Sequence, residues 1–421
     1  MKQFSTTFHQ NRSSYMQSSS QQNIPTSYWI RIVVIFFLGW VVIYAGRSVL
    51  SPIVGELQTA FGLSKAETGG IMSLFFLAYT LLQIPSGILG DKIGRKRVLV
   101  TGFTLYAIFI ASVYFVPSFA VFLFLWILAG AAQGCYYGPQ YALSSEAIPK
   151  KWITVGSAII GSGMSFGIAM GYYLSSVMVS VYHTSWKMPF VLVAIPIVIV
   201  TLLMLFFVRE RITPVNAANS QMAPKGNFAD LFKNRNLVLA YITIFCSIYG
   251  FFVIITWLPN YLEAERGMDK IEASQIASIV PWISIIGTIL CSYVSDKLGR
   301  RKPVVLFMMP LSLVAIFGIV YSDSYAVLIA VLILYGFIGK ISLNPVLIAL
   351  VADNAPRASL STAFGLYNFF GMAASICAPY VTGLIADKTG SLNSGFYFAA
   401  FITLIGITAI SFVKEGPKKT D

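Results

Sequence analysis

The chain has 421 residues; 57% of them are hydrophobic and only 11% are charged, and the mean hydropathy is +0.76. A typical soluble domain carries about 25% charged residues, so this composition excludes an ordinary soluble protein. The net charge of +13 would suit nucleic acid only if the basic residues clustered on one folded face. They lie instead in short runs between apolar segments, which indicates a membrane protein without a nucleic-acid partner.

The chain begins with a polar segment, residues 1–27, which is rich in Gln, Ser and Asn and predicts a disordered tail. Twelve apolar segments follow, each of about 20 residues and long enough to cross a bilayer. Strands of a membrane barrel would be shorter and alternating, so these segments predict α-helices. We number them spans 1 to 12 and place them at 28–50, 68–90, 97–116, 119–145, 153–178, 188–208, 237–260, 274–294, 303–321, 325–350, 360–385 and 392–413.

The longest interruption, residues 209–236, is polar and basic. It separates an N-terminal bundle of six spans, 28–208, from a C-terminal bundle, 237–414, which a short tail, 415–421, follows. Of the 29 Lys and Arg residues, 22 lie on the side of the termini, five lie on the other side and two lie inside spans. The positive-inside rule therefore predicts that both termini and the linker are cytoplasmic, and we expect a multi-pass protein of a bacterial inner membrane.

The two bundles repeat one another in sequence. The stretch "GILGDKIGRKRV" after span 2 recurs as "SYVSDKLGRRKPV" after span 8, with Asp91 corresponding to Asp296. Six spans separate the copies, so the repeat is parallel and predicts two six-helix bundles related by pseudo-symmetry. The predicted fold is therefore an all-α membrane protein of twelve spans.

The repeated loop resembles the signature loop of the major facilitator superfamily, and its second copy is a weaker version. The resemblance covers about residues 28–414 and implies the fold of that superfamily; we expect a monomer. We predict that the two loops form a conformational latch, because Gly94 permits a tight turn and Asp91 can pair with Arg95 or face a helix N-terminus. In the second copy the latch residues are Asp296 and Arg300. Alternatively, the basic residues only set the topology.

Span 1 carries a further resemblance. The stretch "YAGRSVLSPIVGELQTAFGLSKAETGG", together with "TWLPNYLEAERGM" in span 7 and "GLYNFFGMAAS" in span 11, is similar to the anion:cation symporter and organophosphate:phosphate antiporter families. Both families place an arginine late in the first helix, where it binds the anionic group of the substrate. The resemblance implies that Arg47 binds an anion, with Tyr44, Tyr79 and Asn368 as neighbours.

The physical chemistry of Arg47 leads to the same prediction. An arginine inside a span is costly and usually faces a cavity or a partner, and its planar fork suits carboxylate or phosphate. All sixteen acidic residues fall at helix ends, in loops or in tails, so none is a mid-span partner. Tyr44 lies three residues earlier on the same helix face. The alternative is an ion pair with a carboxylate such as Glu56. We predict a small organic anion as the ligand.

Other polar groups inside spans are weaker candidates for the same site. Lys340 lies at the centre of span 10 with Asn344 one turn later, and two intramembrane cations suit a substrate with two negative charges. Alternatively, Lys340 is deprotonated or bonded to backbone carbonyls. Gln133 and Tyr137 share a face of span 4; they line the cavity or join helices.

The absence of mid-span acids bears on energy coupling. Many anion:cation symporters carry acids just before the arginine of span 1 and in span 4, where this chain has Gly46 and Gln133, and its two histidines lie outside the spans. We therefore favour anion exchange or facilitated uptake over proton symport. The rival functions are a drug exporter and a transporter-like sensor of an anionic metabolite. An enzyme is least expected, because no nucleophile–base pair, metal cluster or cofactor motif is recognisable.

Overall fold

The structure is a computed structural model. It describes most of the chain, namely residues 28–149, 152–209, 228–356 and 360–415. The predicted tail 1–27, most of the linker and the last six residues lie outside this part. Within it every regular element is a helix, and twelve segments are long and apolar enough to cross a membrane. The prediction of an all-α fold with twelve spans is therefore confirmed.

The N-terminal bundle contains spans 1 to 6. Its α-helices are Tyr28–Ser48, Val54–Phe61, Lys65–Ile93, Arg95–Ser112, Phe119–Gln133, Tyr137–Ala147, Ile153–Ser180 and Met188–Phe207, with short 3-10 turns at Ser51–Ile53 and Val113–Phe115. Span 1 thus continues beyond its predicted end as far as Phe61. The 3-10 turn occurs where Pro52 cannot donate a backbone hydrogen bond.

The C-terminal bundle contains spans 7 to 12. Its α-helices are Phe228–Lys233, Arg235–Ala264, Lys270–Ala277, Ile279–Leu298, Lys302–Tyr321, Tyr325–Ile338, Lys340–Asn354, Leu360–Thr389 and Asn393–Ser411. Several spans begin a few residues before their predicted starts because polar residues cap them. Ser64 and Glu67 form a capping box before span 2, Asn234 caps span 7 and Asp269 caps span 8.

Spans 4 and 10, which the sequence presents as continuous, are both interrupted near their centres. Span 4 leaves the helix between Gln133 and Tyr137, and span 10 breaks at Gly339. A proline follows each break, and a proline ring clashes with the carbonyl four residues earlier. In span 10 that carbonyl belongs to Ile341, and the Thr288 hydroxyl donates a hydrogen bond of 3.3 Å to it. The breaks fall next to Gln133 in the N-terminal bundle and next to Lys340 in the C-terminal bundle.

Close packing between spans 1 and 5 fixes the position of the first helix. Gly163, Gly167 and Gly171 recur every fourth residue along span 5, and a Cβ atom at any of them would overlap a carbonyl oxygen of span 1. Small residues at this spacing allow two membrane helices to approach closely. The last of these carbonyls belongs to Ala45, so the stripe holds span 1 two residues from Arg47.

The two bundles are joined by polar contacts at the end of the molecule opposite the chain termini, which we call the far end. There the side chains of Lys270 and Glu56 form an ion pair across the bundles. The carboxylate of Asp387 in span 11 accepts hydrogen bonds of 2.9 and 2.7 Å from the backbone N–H groups of Lys65 and Ala66, at the start of span 2. The far end is therefore closed.

Candidate substrate-binding site

Arg47 lies near the end of the first helix of span 1 and is only 4% exposed. Its Nε donates a hydrogen bond of 2.7 Å to Oε1 of Gln133, the last residue before the break in span 4. Gln133 in turn donates to the carbonyl of Ile43 at 3.4 Å. One edge of the guanidinium is therefore held in a fixed orientation by spans 1 and 4.

Four aromatic rings surround the guanidinium. Its Cζ lies 4.6 Å from the ring centroid of Tyr79, 4.8 Å from that of Tyr44, 5.3 Å from that of Phe76 and 5.8 Å from that of Phe75. The faces of aromatic rings attract a cation at these distances. The rings stabilise the charge without supplying a negative one.

One terminal nitrogen of the Arg47 guanidinium is unsatisfied. Its Nη2 is buried and has no hydrogen-bond partner among the described residues. Among the described residues, no carboxylate forms an ion pair with Arg47. Glu56, the acid that was its candidate partner, pairs with Lys270 instead. A buried cation without a counter-ion is costly. This geometry suits a site whose missing partner is an anionic ligand.

A small cavity adjoins Arg47 between the two bundles. Its lining consists of Tyr44, Arg47, Ser48, Ser51, Met72, Phe76, Phe252 and Ile255. Span 1 and span 2 supply the N-terminal side, and span 7 supplies Phe252 and Ile255. The rings of Phe76 and Phe252 meet edge to face across the bundles, with centroids 4.7 Å apart. The free volume of the cavity in this conformation is about 10 Å³, roughly one water molecule, so a ligand would enter from a more open conformation and would then contact both bundles.

The structure places Lys340 apart from Arg47. Lys340 is the first helical residue after the break in span 10, and its Nζ lies 5.3 Å from the ring centroid of Phe251. It lines a second small cavity inside the C-terminal bundle, bordered by spans 7, 9, 10 and 12. Phe251 and Phe252 are neighbours on span 7 with ring centroids 5.3 Å apart. Their rings separate the two cations in this conformation.

The remaining predicted site residues contact other polar or aromatic groups. Asn344 accepts a hydrogen bond of 3.0 Å from the Tyr367 hydroxyl. Asn368 donates one of 3.0 Å to Gln83 and thereby joins span 11 to span 2. Tyr137, in span 4, packs against the rings of Trp40 and Tyr141. The structure thus gathers Tyr44, Tyr79 and Gln133 around Arg47. The contacts of Asn344, Asn368 and Tyr137 are with other residues.

Sequence reasoning missed Phe76 and Gln83, although their spacing was a usable signal. Met72, Phe76, Tyr79 and Gln83 recur at intervals of three or four residues and so share one face of span 2. Met72 and Phe76 line the Arg47 cavity, Tyr79 covers the guanidinium and Gln83 reaches span 11. The predicted Tyr79 therefore belongs to a face of span 2 that lies towards Arg47 and span 11.

The first predicted latch loop is described in part. Gly94 has a positive φ of 108°, which a residue with a side chain rarely adopts, so it makes the tight turn between spans 2 and 3. Arg95 forms an ion pair with Glu146 at the end of span 4. The side chain of Asp91 lies outside the described part, so its role in the latch stays a prediction.

The second loop is tied to its own bundle. Asp296 pairs with Arg301 at 2.6 Å, one residue beyond the predicted Arg300, which lies 3.7 Å from Glu415. Burial tends to lower the pKa of Arg301, but its hydrogen bond with Asp296 and the charges of Asp296 and Asp353 raise that pKa overall. These pairs anchor the loop within the C-terminal bundle.

A cavity at the interface of two pseudo-symmetric six-helix bundles is typical of secondary transporters. The family model of the Major Facilitator Superfamily matches residues 36–368 and 240–421. The chain belongs to this superfamily, as the loop motif implied.

Relatives with assigned substrates match nearly the whole chain. The hexuronate transporter of Bacillus subtilis is 26% identical, over 91% of this chain and 94% of its own. The cis,cis-muconate transport protein of Acinetobacter baylyi is 27% identical, over 95% and 98%. A probable galactarate/D-glucarate transporter of Bacillus subtilis is 28% identical, over 91% and 90%.

Solved structures share the fold. The nucleoside transporter NupG has a TM-score of 0.77 at 15% identity, covering 92% of this chain and 100% of that one. A D-xylose–proton symporter has a TM-score of 0.75 at 18% identity, covering 93% and 99%. At these identities the likeness concerns the twelve-helix architecture alone.

Proposed function

We propose that this protein carries a small organic anion across a membrane by alternating access, with Arg47 as the anion-binding residue. The observation that carries the proposal is a buried guanidinium whose Nη2 has no partner and which no described carboxylate neutralises. The organic acids carried by the relatives support the same substrate class. We further propose a bacterial inner membrane, with the termini in the cytoplasm.

In this mechanism the protein supplies a preorganised half of an ion pair. Gln133 holds Nε of Arg47, which leaves Nη2 to donate to a carboxylate or phosphate oxygen. A charge-assisted hydrogen bond of this kind replaces the water that the anion loses on entering the cavity. Phe252 of span 7 lines the same cavity, so a bound ligand can hold the two bundles together.

Release to the far side requires the far-end contacts to open. The bonds of Asp387 to the start of span 2 and the pair of Lys270 with Glu56 join the bundles there. A conformation open at the far end breaks these contacts and re-forms equivalent ones at the other end, where the latch loops lie. The latch role of Asp91, Gly94, Arg95, Asp296 and Arg300 belongs to this proposal.

We propose exchange of anions rather than proton symport, because no acidic side chain accompanies Arg47 in the described site. Purified protein in liposomes should take up a labelled hexuronate, glucarate or muconate faster when unlabelled substrate is inside than when only an inward proton gradient is applied. Strict dependence on the proton gradient that survives Lys340→Ala would contradict exchange. Binding without any flux would contradict the transporter itself and favour a sensor.

Lys340 tests whether the substrate has two anionic ends. We expect Lys340→Met to weaken binding of muconate, a dicarboxylate, about tenfold or more, because a charge-assisted hydrogen bond is lost. Binding of sorbate, which has the same six-carbon diene and one carboxylate, should stay unchanged. Calorimetric titration of both ligands measures the difference. An equal loss for the two ligands would show that Lys340 does not bind the second carboxylate.

A further inference from the structure

The cavity beside Arg47 is lined mostly by apolar and aromatic groups. We propose that its substrate is a flat, unsaturated or aromatic carboxylate, and that Phe76 and Phe252 select it over polyhydroxylated acids. This inference rests on the function proposed above, because it concerns the part of the substrate beyond the anionic group that Arg47 binds.

The two selecting rings come from opposite bundles. Phe76 lies on span 2 and Phe252 on span 7, both are almost fully buried, and their ring centroids are 4.7 Å apart. Phe76 also covers the guanidinium of Arg47, at 5.3 Å. A carboxylate held by Arg47 therefore directs the rest of its molecule towards these rings. A flat π-system can stack on them or meet their edges, and a saturated chain gains only apolar contact.

Hydrogen-bonding capacity at this cavity is small. Among the lining side chains, Ser51 already donates to the Ile255 carbonyl at 3.1 Å. Apart from Arg47, only the hydroxyls of Tyr44 and Ser48 remain in the lining to bind a substrate hydroxyl. The nearby Gln133 amide is already engaged with Arg47 and Ile43.

A sugar diacid carries more hydroxyl groups than this lining can satisfy. Each hydroxyl buried without a hydrogen-bond partner costs free energy, so a ligand with several of them binds more weakly in a site without matching groups. The absence of such groups therefore favours a substrate whose middle is apolar. The flatness of the preferred substrate follows from the two rings rather than from the lack of polar groups.

Three six-carbon dicarboxylates separate these effects. Muconate is unsaturated and flat, adipate is saturated without hydroxyls, and glucarate is saturated with hydroxyls. In competition binding to the purified full chain, we expect muconate to bind about tenfold more tightly than adipate, since two ring contacts are gained. Glucarate should bind more weakly than adipate. Their equal carbon number and two carboxylates keep the contributions of Arg47 and Lys340 constant.

Variants show whether the rings cause the preference. Phe76→Leu and Phe252→Leu should each reduce the ratio of muconate to adipate affinity to about threefold or less, although the intrinsic rigidity of muconate is unchanged. Phe166→Leu is the matched control, because Phe166 meets Trp282 across the bundles at 4.7 Å but does not line this cavity. It should leave the ratio at its wild-type value.

The outcomes separate this inference from the function on which it rests. Tightest binding of glucarate, or a muconate preference that both leucine variants retain, would overturn the selection by rings and leave an organic-anion carrier in place. Failure of all three acids to bind, together with failure of hexuronates and phosphate esters, would overturn both the inference and the proposed function.

Discussion

Arg47→Ala should weaken binding of the transported anion by roughly 10- to 150-fold, which corresponds to the loss of a charge-assisted contact of about 1.5–3 kcal/mol. The protein should remain folded, because the change removes a buried cation that no described carboxylate neutralises, which offsets the loss of the hydrogen bond from Nε to Gln133. The measurement is a binding isotherm with purified wild type and variant, accompanied by melting temperatures without ligand.

Arg47→Lys separates charge from geometry. Lysine keeps the positive charge but lacks the planar guanidinium, which binds Gln133 through Nε and leaves Nη2 for the ligand. We expect affinity between that of the wild type and that of Arg47→Ala, and transport that is still impaired. Wild-type affinity in Arg47→Lys would mean that charge alone is required.

Tyr106→Phe is the matched control for this series. The Tyr106 hydroxyl is buried beside Gly46, next to Arg47 in the chain, and has no hydrogen-bond partner in the described structure. Its removal should leave anion affinity unchanged. If Arg47 were structural, Arg47→Ala would instead lower the melting temperature without ligand. Equal affinities in two equally stable proteins would remove Arg47 from the site.

The twelve spans follow from the sequence because each is a long apolar run, a signal that needs no knowledge of tertiary contacts. Their ends and breaks depend on more local chemistry. The capping pattern of Ser64 and Glu67 could have moved the predicted start of span 2 from 68 to 65. The break in span 10 depends on the extended backbone at Gly339, which an apolar run does not reveal.

The residues of the anion site likewise fall into those that the sequence predicts and those that depend on packing between the bundles. Arg47 is predictable because a charge inside a span is conspicuous, and Tyr44 is predictable from helical spacing. Phe252 is not predictable in this way, because it reaches the site only through packing of one bundle on the other. Its contact Phe76 lies more than 170 residues earlier in the sequence. Lys340 was conspicuous for the same reason as Arg47, yet its placement behind Phe251 depends on how spans 7 and 10 pack.

Gly383 offers a test of the closed far end. A Cβ atom there would overlap the backbone of Lys65, and one at Gly69 would overlap the backbone of Pro379, so spans 2 and 11 approach too closely at the far end for side chains. Gly383→Leu should therefore hold the bundles apart at that end. Overpacking of about 1–3 kcal/mol would shift the balance towards the open far end by roughly 5- to 150-fold.

The consequences of Gly383→Leu differ for binding and for transport. Anion binding should persist, because Gly383 meets the backbone of Lys65 and not the lining of the Arg47 cavity. Transport should fall by a similar factor, since the far end closes less often. In a cysteine-free background with Ser51→Cys, an impermeant thiol reagent added to intact cells should label the variant faster than the wild type, provided that the far end faces outward as the positive-inside rule predicts.

Gly365→Leu is the control for Gly383→Leu, since Gly365 lies on the same span and a Cβ atom there would meet nothing within 4 Å. It should transport and be labelled like the wild type. If Gly383→Leu also did so, the contact between spans 2 and 11 would not control access to the site. If its labelling rose without loss of transport, closing of the far end would not limit the cycle. Only increased labelling combined with lost transport identifies this glycine contact as the seal that alternating access must open and close.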